Sequence, residues 1–230
     1  MAVDNFEDHC WKDVISPEVF EVYKPYQRET YIGKRPVLLA IDLYNLVFEG
    51  GAYPVHELVK KHKSTCGVYA YEAIAPIQEL IASVRKRHFP IIYTTTETRK
   101  ESNPDDVRAT NLPIKEFAKS SYEIREEFKP LAGDLIIYKE RASAFFGTPL
   151  IAHLTWLQAD TLLVCGESTS GCVRASVVDA YSFGIHPVVI EECCFDRSLI
   201  SHKINLFDLH HKYADVMHLD EVKEHLDAMD

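Results

Sequence analysis

The chain has 230 residues, room for one large α/β domain or two small ones, and its 47% hydrophobic and 26% charged composition supplies an ordinary globular core. Its formal charge of −10 argues against binding a phosphate backbone, which needs clustered cations, and mildly favours a neutral or cationic small substrate over a polyanion. The acidic start MAVDNFEDHCWKDV lacks the pattern of a secretory signal. No apolar run approaches the ~20 residues of a membrane span, so a cytoplasmic protein without nucleic-acid or membrane partners is expected.

Residues 1–35 are mixed and aromatic-rich and read as an N-terminal arm that wraps the domain or a neighbouring subunit; residues 36–230 read as the domain itself. Val37–Ile41 is a continuous apolar run ending in Asp42, as a buried parallel strand with a polar residue at its carboxyl end would be. The spacing predicts a helix over Tyr71–His88, with basic residues in its last turn as the helix dipole prefers, and a strand over Pro90–Thr95. Residues 97–130, punctuated by Pro104, Pro113 and Pro130, read as an irregular excursion. Further strands are predicted at Leu135–Tyr138, Thr161–Cys165, Pro187–Ile190 and Ala214–Met217. Helices are predicted at Pro149–Gln158, from Gly171-Cys172 onward, and around Ser201–Lys212. Strands alternating with helices imply an α/β fold: a single doubly wound, mostly parallel sheet with helices on both faces, a three-layer sandwich.

In such folds chemistry gathers at the carboxyl ends of strands, where Asp42, Lys139 and Cys172 fall. Each has a bland alternative: a strand-end Asp caps turns, a strand-end Lys is a solvated charge, and a lone Cys at a helix start is a packing residue. Jointly they form a set. A thiol with an ordinary pKa of ~8.5 is mostly protonated near neutrality, and a helix N-terminus beside a cation favours the thiolate. A carboxylate could take the thiol proton and return it to a leaving amine, a lysine could hold both, and helix-start N–H groups could bind an oxyanion.

The segments Gly166-Glu167-Ser168-Thr169-Ser170-Gly171-Cys172-Val173-Arg174-Ala175-Ser176 and Lys139-Glu140-Arg141-Ala142-Ser143-Ala144-Phe145-Phe146-Gly147-Thr148 resemble the isochorismatase-like cysteine hydrolases, most of all the N-carbamoylsarcosine amidohydrolase branch. The resemblance runs from about Pro36 to Met217, and Asp42 completes its Asp–Lys–Cys order. It implies a cysteine-dependent amidohydrolase releasing ammonia from a small linear ureide or amide, with Cys172 as nucleophile, Asp42 as base and acid, and Lys139 as electrostatic partner. It also implies a cis peptide at Glu167–Ser168, backbone donors at Ser168 and Cys172 for the oxyanion, and Arg197 as a binder of a substrate carboxylate or carbonyl; Arg197 read alone could equally pair with Asp196. Family members are often dimers or tetramers, so a homo-oligomer is expected.

The metal motif of the nicotinamidase branch is missing between Asp42 and Glu97, so neither metal nor cofactor is expected, and the histidines, His202 and His210 among them, read as structural. Glu167 and Glu97, if they face the site, favour a cationic or donor-rich substrate; otherwise they are surface or ion-paired carboxylates. Tyr44, Phe48, Phe145 and Phe146 are candidate pocket walls, with the core as the alternative. Maleamate, biuret, triuret and guanylurea remain rival substrates of the same chemistry. A redox protein using Cys172 with a resolving thiol, and a catalytically silent scaffold, are the rival classes.

Overall fold

The computed structural model describes residues 6–99, 109–111 and 117–229. Its strands are β1 (Pro36–Ile41), β2 (Ile91–Thr96), β3 (Leu135–Lys139), β4 (Thr161–Glu167), β5 (His186–Phe195) and β6 (Asp215–Met217). All pair in parallel, in the order β3-β2-β1-β4-β5-β6. The order reverses between β1 and β4, and in open α/β sheets such a switch point, beyond the strands' carboxyl ends, is where ligands bind.

The helices are α1 (Pro17–Tyr23), α2 (Val55–Leu58), α3 (Gly67–Glu72), α4 (Ile74–Lys86), α5 (Leu150–Trp156), α6 (Arg174–Ser182), α7 (Leu199–Lys212) and α8 (Leu219–Asp227). Because strand side chains alternate, β1 feeds two cores. Leu38 and Ala40 pack with Ile77, Leu80 and Val84 of α4 and with Val222 and Leu226 of α8. Val37, Leu39 and Ile41 pack on the other face with residues of α5, α6 and α7. A strand buried on both faces has to be apolar throughout, which is why these runs are legible in the sequence.

Three elements differ from expectation. The single helix predicted over Tyr71–His88 is two, α3 and α4, with the break at Ala73. Pro76 explains it, since its ring would clash with the carbonyl of Glu72 four residues back, while in the first turn of α4 its missing N–H costs nothing. Strand β5 runs on to Phe195, past Glu191 and Glu192. These two carboxylates interrupt the apolar run because they hold other segments: Glu191 accepts from the Cys10 backbone and pairs with His9, and Glu192 accepts from the Leu219 backbone and pairs with His218. Helix α8, unforeseen, starts at a capping box of His218 and Glu221.

The N-terminal residues lie along α7 and β6 of their own chain. Trp11 is fully buried beside Phe207, and Arg28 donates to the carbonyls of His210 and Ala214 and pairs with Asp215. Of the excursion at 97–130, the stretch holding Pro104 and Pro113 lies outside the described residues. Residues 117–130 fold back over the carboxyl end of β1 through short 3-10 turns. Asn45 donates to the Glu123 carbonyl and Arg125 to that of Leu43.

Candidate active site

Asp42 follows β1 with φ at +54°, a left-handed conformation that Asp tolerates better than most residues. Its carboxylate is fully buried. Thr94 of β2 donates to Oδ1 at 2.7 Å and accepts from the Asp42 backbone N–H at 3.1 Å. Lys139, the last residue of β3 and 2% exposed, places Nζ 2.8 Å from Asp42 Oδ2 and 3.3 Å from Cys172 Sγ, and also donates to the Arg141 carbonyl. The Lys139 ammonium and Asp42 Oδ2 thus form a buried ion pair.

Cys172 reaches this pair because β4 lies against β1 without a side chain between them. At Gly166 (φ +114°) an added Cβ would sit 1.9 Å from the Ile41 carbonyl oxygen, so only glycine permits the approach. The chain then passes the cis peptide Glu167–Ser168 and a π-helical turn, Thr169–Val173, before α6 begins. Asp196 holds this turn by accepting from both the backbone and hydroxyl of Ser170. The Thr169 hydroxyl lies 2.8 Å from His202 Nδ1, and Ser176 donates to the Cys172 carbonyl. Gly171 and Val173 donate their backbone N–H groups to the Ser168 carbonyl.

The electrostatics differ from the simplest expectation. Burial pushes the Cys172 thiol up, the Asp42 carboxylate adds to the effect, and Lys139 opposes it without winning. Burial works against the Lys139 ammonium as well, but the Asp42 carboxylate and the contact with Cys172 more than reverse that, and its pKa rises. The helix opening therefore does not store a thiolate, and the resting group is a thiol beside an Asp–Lys ion pair. Iodoacetamide is accordingly expected to label Cys172 slowly at pH 7, with a rate climbing about tenfold per pH unit and no plateau below pH 9. A rate already level at pH 7, read by mass spectrometry of the labelled peptide, would show a stored thiolate instead.

The remaining sequence candidates divide. Tyr44 lies beside the set, its phenol pushed up by burial and by the Asp42 carboxylate. Phe48 packs with Tyr71, Phe128 and Phe195, and Phe145 stacks on Phe183, so both are core. Phe146 is 66% exposed. Glu97 is held by Arg99 through three side-chain hydrogen bonds and the Arg99 backbone N–H, which keeps its carboxyl below the usual range. Its charge is offset locally by the Arg99 guanidinium.

Glu167 and Arg197 are both half-buried. Arg197 makes no side-chain ion pair among the described residues, with Asp196 or any other carboxylate, and its buried Nε has no partner; Asp196 accepts only from its backbone N–H. Three site residues gave no sequence signal: Thr94, which orients Asp42; Tyr122, which meets Tyr44 edge-on; and Cys66, whose thiol faces Glu167. Two surface clefts lie nearby, one of about 360 Å³ lined by Thr95, Tyr122 and Tyr138 and one of about 310 Å³ lined by Phe195, Asp196 and His202.

The histidines hold one surprise. His9, Glu191 and His218 bring ligand atoms within 4.8 Å of one another, a cluster that no sequence spacing announces. Its two imidazoles stack at 18°, both His218 nitrogens and Nδ1 of His9 already have partners, and parallel rings do not converge their lone pairs on one ion.

An Isochorismatase domain model matches residues 36–221. The chain belongs to the isochorismatase family. It is an enzyme of this hydrolase family, and its likeness to N-carbamoylsarcosine amidases runs nearly its full length. It is 33% identical over 215 residues to the N-carbamoylsarcosine amidase of Arthrobacter sp, covering 89% of this chain and 76% of that one. It is 46% identical over 92 residues, 40% of this chain and 43% of the relative, to the maleamate amidohydrolase of Pseudomonas putida. Among solved structures, the N-carbamoylsarcosine amidase from Thermoplasma acidophilum shares the fold with a TM-score of 0.63 at 21% identity, covering 81% of this chain and 97% of that one. A cysteine hydrolase from Pseudomonas syringae does so with a TM-score of 0.73 at 18% identity, covering 88% and 97%. Among the described residues, no helix is long and apolar enough to cross a membrane.

Proposed function

We propose that this enzyme hydrolyses the C–N bond of a small linear amide or ureide through a covalent intermediate on Cys172, releasing ammonia. The observation that carries the reading is the buried Asp42–Lys139–Cys172 contact set, in which a thiol, a carboxylate and a fixed ammonium meet. In the first half-reaction the Cys172 proton passes to Asp42, within hydrogen-bonding reach of the thiol, as sulfur attacks the carbonyl carbon. The backbone N–H groups of Ser168 and Cys172 receive the oxyanion. Asp42 then protonates the departing amine, which leaves as ammonia, and a thioester or thiocarbamate remains. In the second half Asp42 takes a proton from water, the resulting attack expels the sulfur, and the thiol is restored.

The redox alternative needs a second accessible thiol. Cys66, Cys165, Cys193 and Cys194 are buried, and the half-exposed Cys10 lies against Glu191, so nothing near Cys172 favours it. The scaffold alternative leaves the complete contact set without a purpose.

Arg197, an unpaired guanidinium beside Cys66, is assigned to a substrate carboxylate or carbonyl. Arg197→Met is expected to raise KM about 10–100-fold for carboxylate-bearing substrates, the scale of a hydrogen bond to a charged group, with kcat changed only a few-fold. Steady-state kinetics on substrates with and without a carboxylate check this; equal losses on both would move the role to the carbonyl, and no loss on either would remove the assignment.

The test of the whole reading is ammonia release from N-carbamoylsarcosine, maleamate, biuret, triuret, guanylurea and nicotinamide, with acid-quenched intact mass measured during turnover. Release from one compound with an acyl or carbamoyl adduct on the Cys172 peptide is expected. No release from any of them, with Cys172 inert even at high pH, would instead favour the scaffold.

A further inference from the structure

The carboxyl group of Glu167 is short of donors. It ends β4 immediately before the nucleophile turn, opposite Phe195 in the β4–β5 register, and keeps partial access to solvent. Among the described residues its hydrogen-bond partner is the Cys66 thiol, a weak donor at 3.8 Å. The charged and titratable groups around it come from every neighbouring element: Asp42 and Tyr44 after β1, Lys139 at the end of β3, Cys66 before α3, Cys172 in the turn, and Asp196 after β5, with Arg197 beside Cys66. The two cations do not satisfy it. Lys139 is engaged by Asp42, Cys172 and the Arg141 carbonyl, and Arg197 forms no ion pair with it.

A carboxyl so placed needs N–H donors from whatever enters the site, and the occupant must reach Cys172 at the same time. A substrate carboxylate set against Glu167 would meet its charge and those of Asp42 and Asp196, which leaves Arg197 for a substrate carbonyl, and an apolar group would leave the carboxyl without a partner. We propose that Glu167 is a specificity-determining residue selecting substrates whose attacked carbonyl carries, on the side away from the leaving ammonia, a ureido or amidino group with free N–H donors. This rests on the amidohydrolase reading above and narrows it to ureides and their amidino relatives.

The free site supplies the sign of the pH effect. Burial and the Asp42 and Asp196 charges raise the Glu167 carboxyl to about 8, with Lys139 and the Cys66 thiol opposing. Donor-bearing ligands prefer the ionised carboxylate, so their binding should strengthen from pH 6.5 towards pH 8 and then level, with a proton released on binding at the lower pH. If Glu167 served instead as a protonated donor to a substrate carboxylate, affinity would weaken over the same range.

The experiment compares biuret and guanylurea with maleamate in wild type and Glu167→Gln, reading kcat and KM from pH 6.5 to 9. Binding of the same compounds to Cys172→Ser, with and without Glu167→Gln, is measured by calorimetry. Glu167→Gln is expected to raise KM and weaken binding about tenfold or more for biuret and guanylurea, to abolish their pH dependence near 8, and to leave maleamate unchanged or improved, with kcat altered only a few-fold. Equal losses for all three compounds, no change in their ratio, or no binding of biuret and guanylurea to the Cys172→Ser protein would overturn the proposal. Selective, Glu167-dependent binding without ammonia release from wild type would instead leave the specificity assignment standing and remove the hydrolase reading.

Discussion

Cys172→Ser is expected to release ammonia at least about a thousandfold more slowly than wild type while remaining folded, with stability changed by about 1 kcal/mol or less. The activity loss follows from what surrounds the thiol. Burial and Asp42 already hold the proton on sulfur, so catalysis depends on transfer to Asp42 during attack. A hydroxyl is a much weaker acid than a thiol, and a carboxylate unaided by an imidazole is a poor base for it. The stability claim follows from packing. Oxygen is smaller than sulfur, Lys139 Nζ can donate to it as it does to Sγ at 3.3 Å, and the Ser176 bond to the backbone carbonyl is untouched. Single-turnover ammonia release and chemical denaturation check the two halves separately. Activity within tenfold of wild type would move the nucleophile elsewhere, and a large stability loss would make the activity result uninformative about chemistry.

The sequence makes the frame of this site legible and leaves its environment hidden, for physical reasons. Val37–Ile41 and Thr161–Cys165 read as strands because a parallel strand covered on both faces cannot afford polar interruptions, and Asp42 stands out as the first residue beyond that cover. The two motifs around Lys139 and Cys172 are contiguous, so the contacts that fix them are encoded locally: Ser176 to the Cys172 carbonyl, and the Ala144 backbone to Ser176. Glu191 and Glu192 break the pattern of β5 because their partners are 182 and 26 residues away, a pairing no window along the chain contains. Glu97 was legible in principle, its partner Arg99 lying two residues on, yet an ion pair and a pocket wall look alike until the side chains are placed. The state of Cys172 was hidden more deeply. A helix start argues for the thiolate, and only the packing shows burial and Asp42 outweighing it.

The buried ion pair makes Asp42→Asn the sharper probe of the electrostatics. Asparagine keeps the shape, tolerates the positive φ and can still accept from Thr94, so the change is chiefly loss of one charge. Lys139, 2% exposed, is then left with the Cys172 thiol and one carbonyl as partners, and breaking a buried pair in this way costs about 3–5 kcal/mol. Activity should fall at least about a hundredfold, since the base for attack and the acid for ammonia departure are one group. The pH dependence identifies the cause. In wild type the folded Lys139 pKa lies above its unfolded value, so its contribution is complete below the unfolded lysine pKa of ~10.4 and is lost only as pH rises through the folded value. In Asp42→Asn the sign reverses: burial without a counter-charge drops the folded pKa below the unfolded one, the unfolded state binds more protons, and stability should climb between pH 7 and pH 10. Adding Lys139→Met removes the stranded charge. The double variant is expected to recover most of the lost stability and none of the activity, with denaturant midpoints and ammonia release as the readouts. A single variant as stable as wild type at every pH would mean that Lys139 does not depend on Asp42 for its charge.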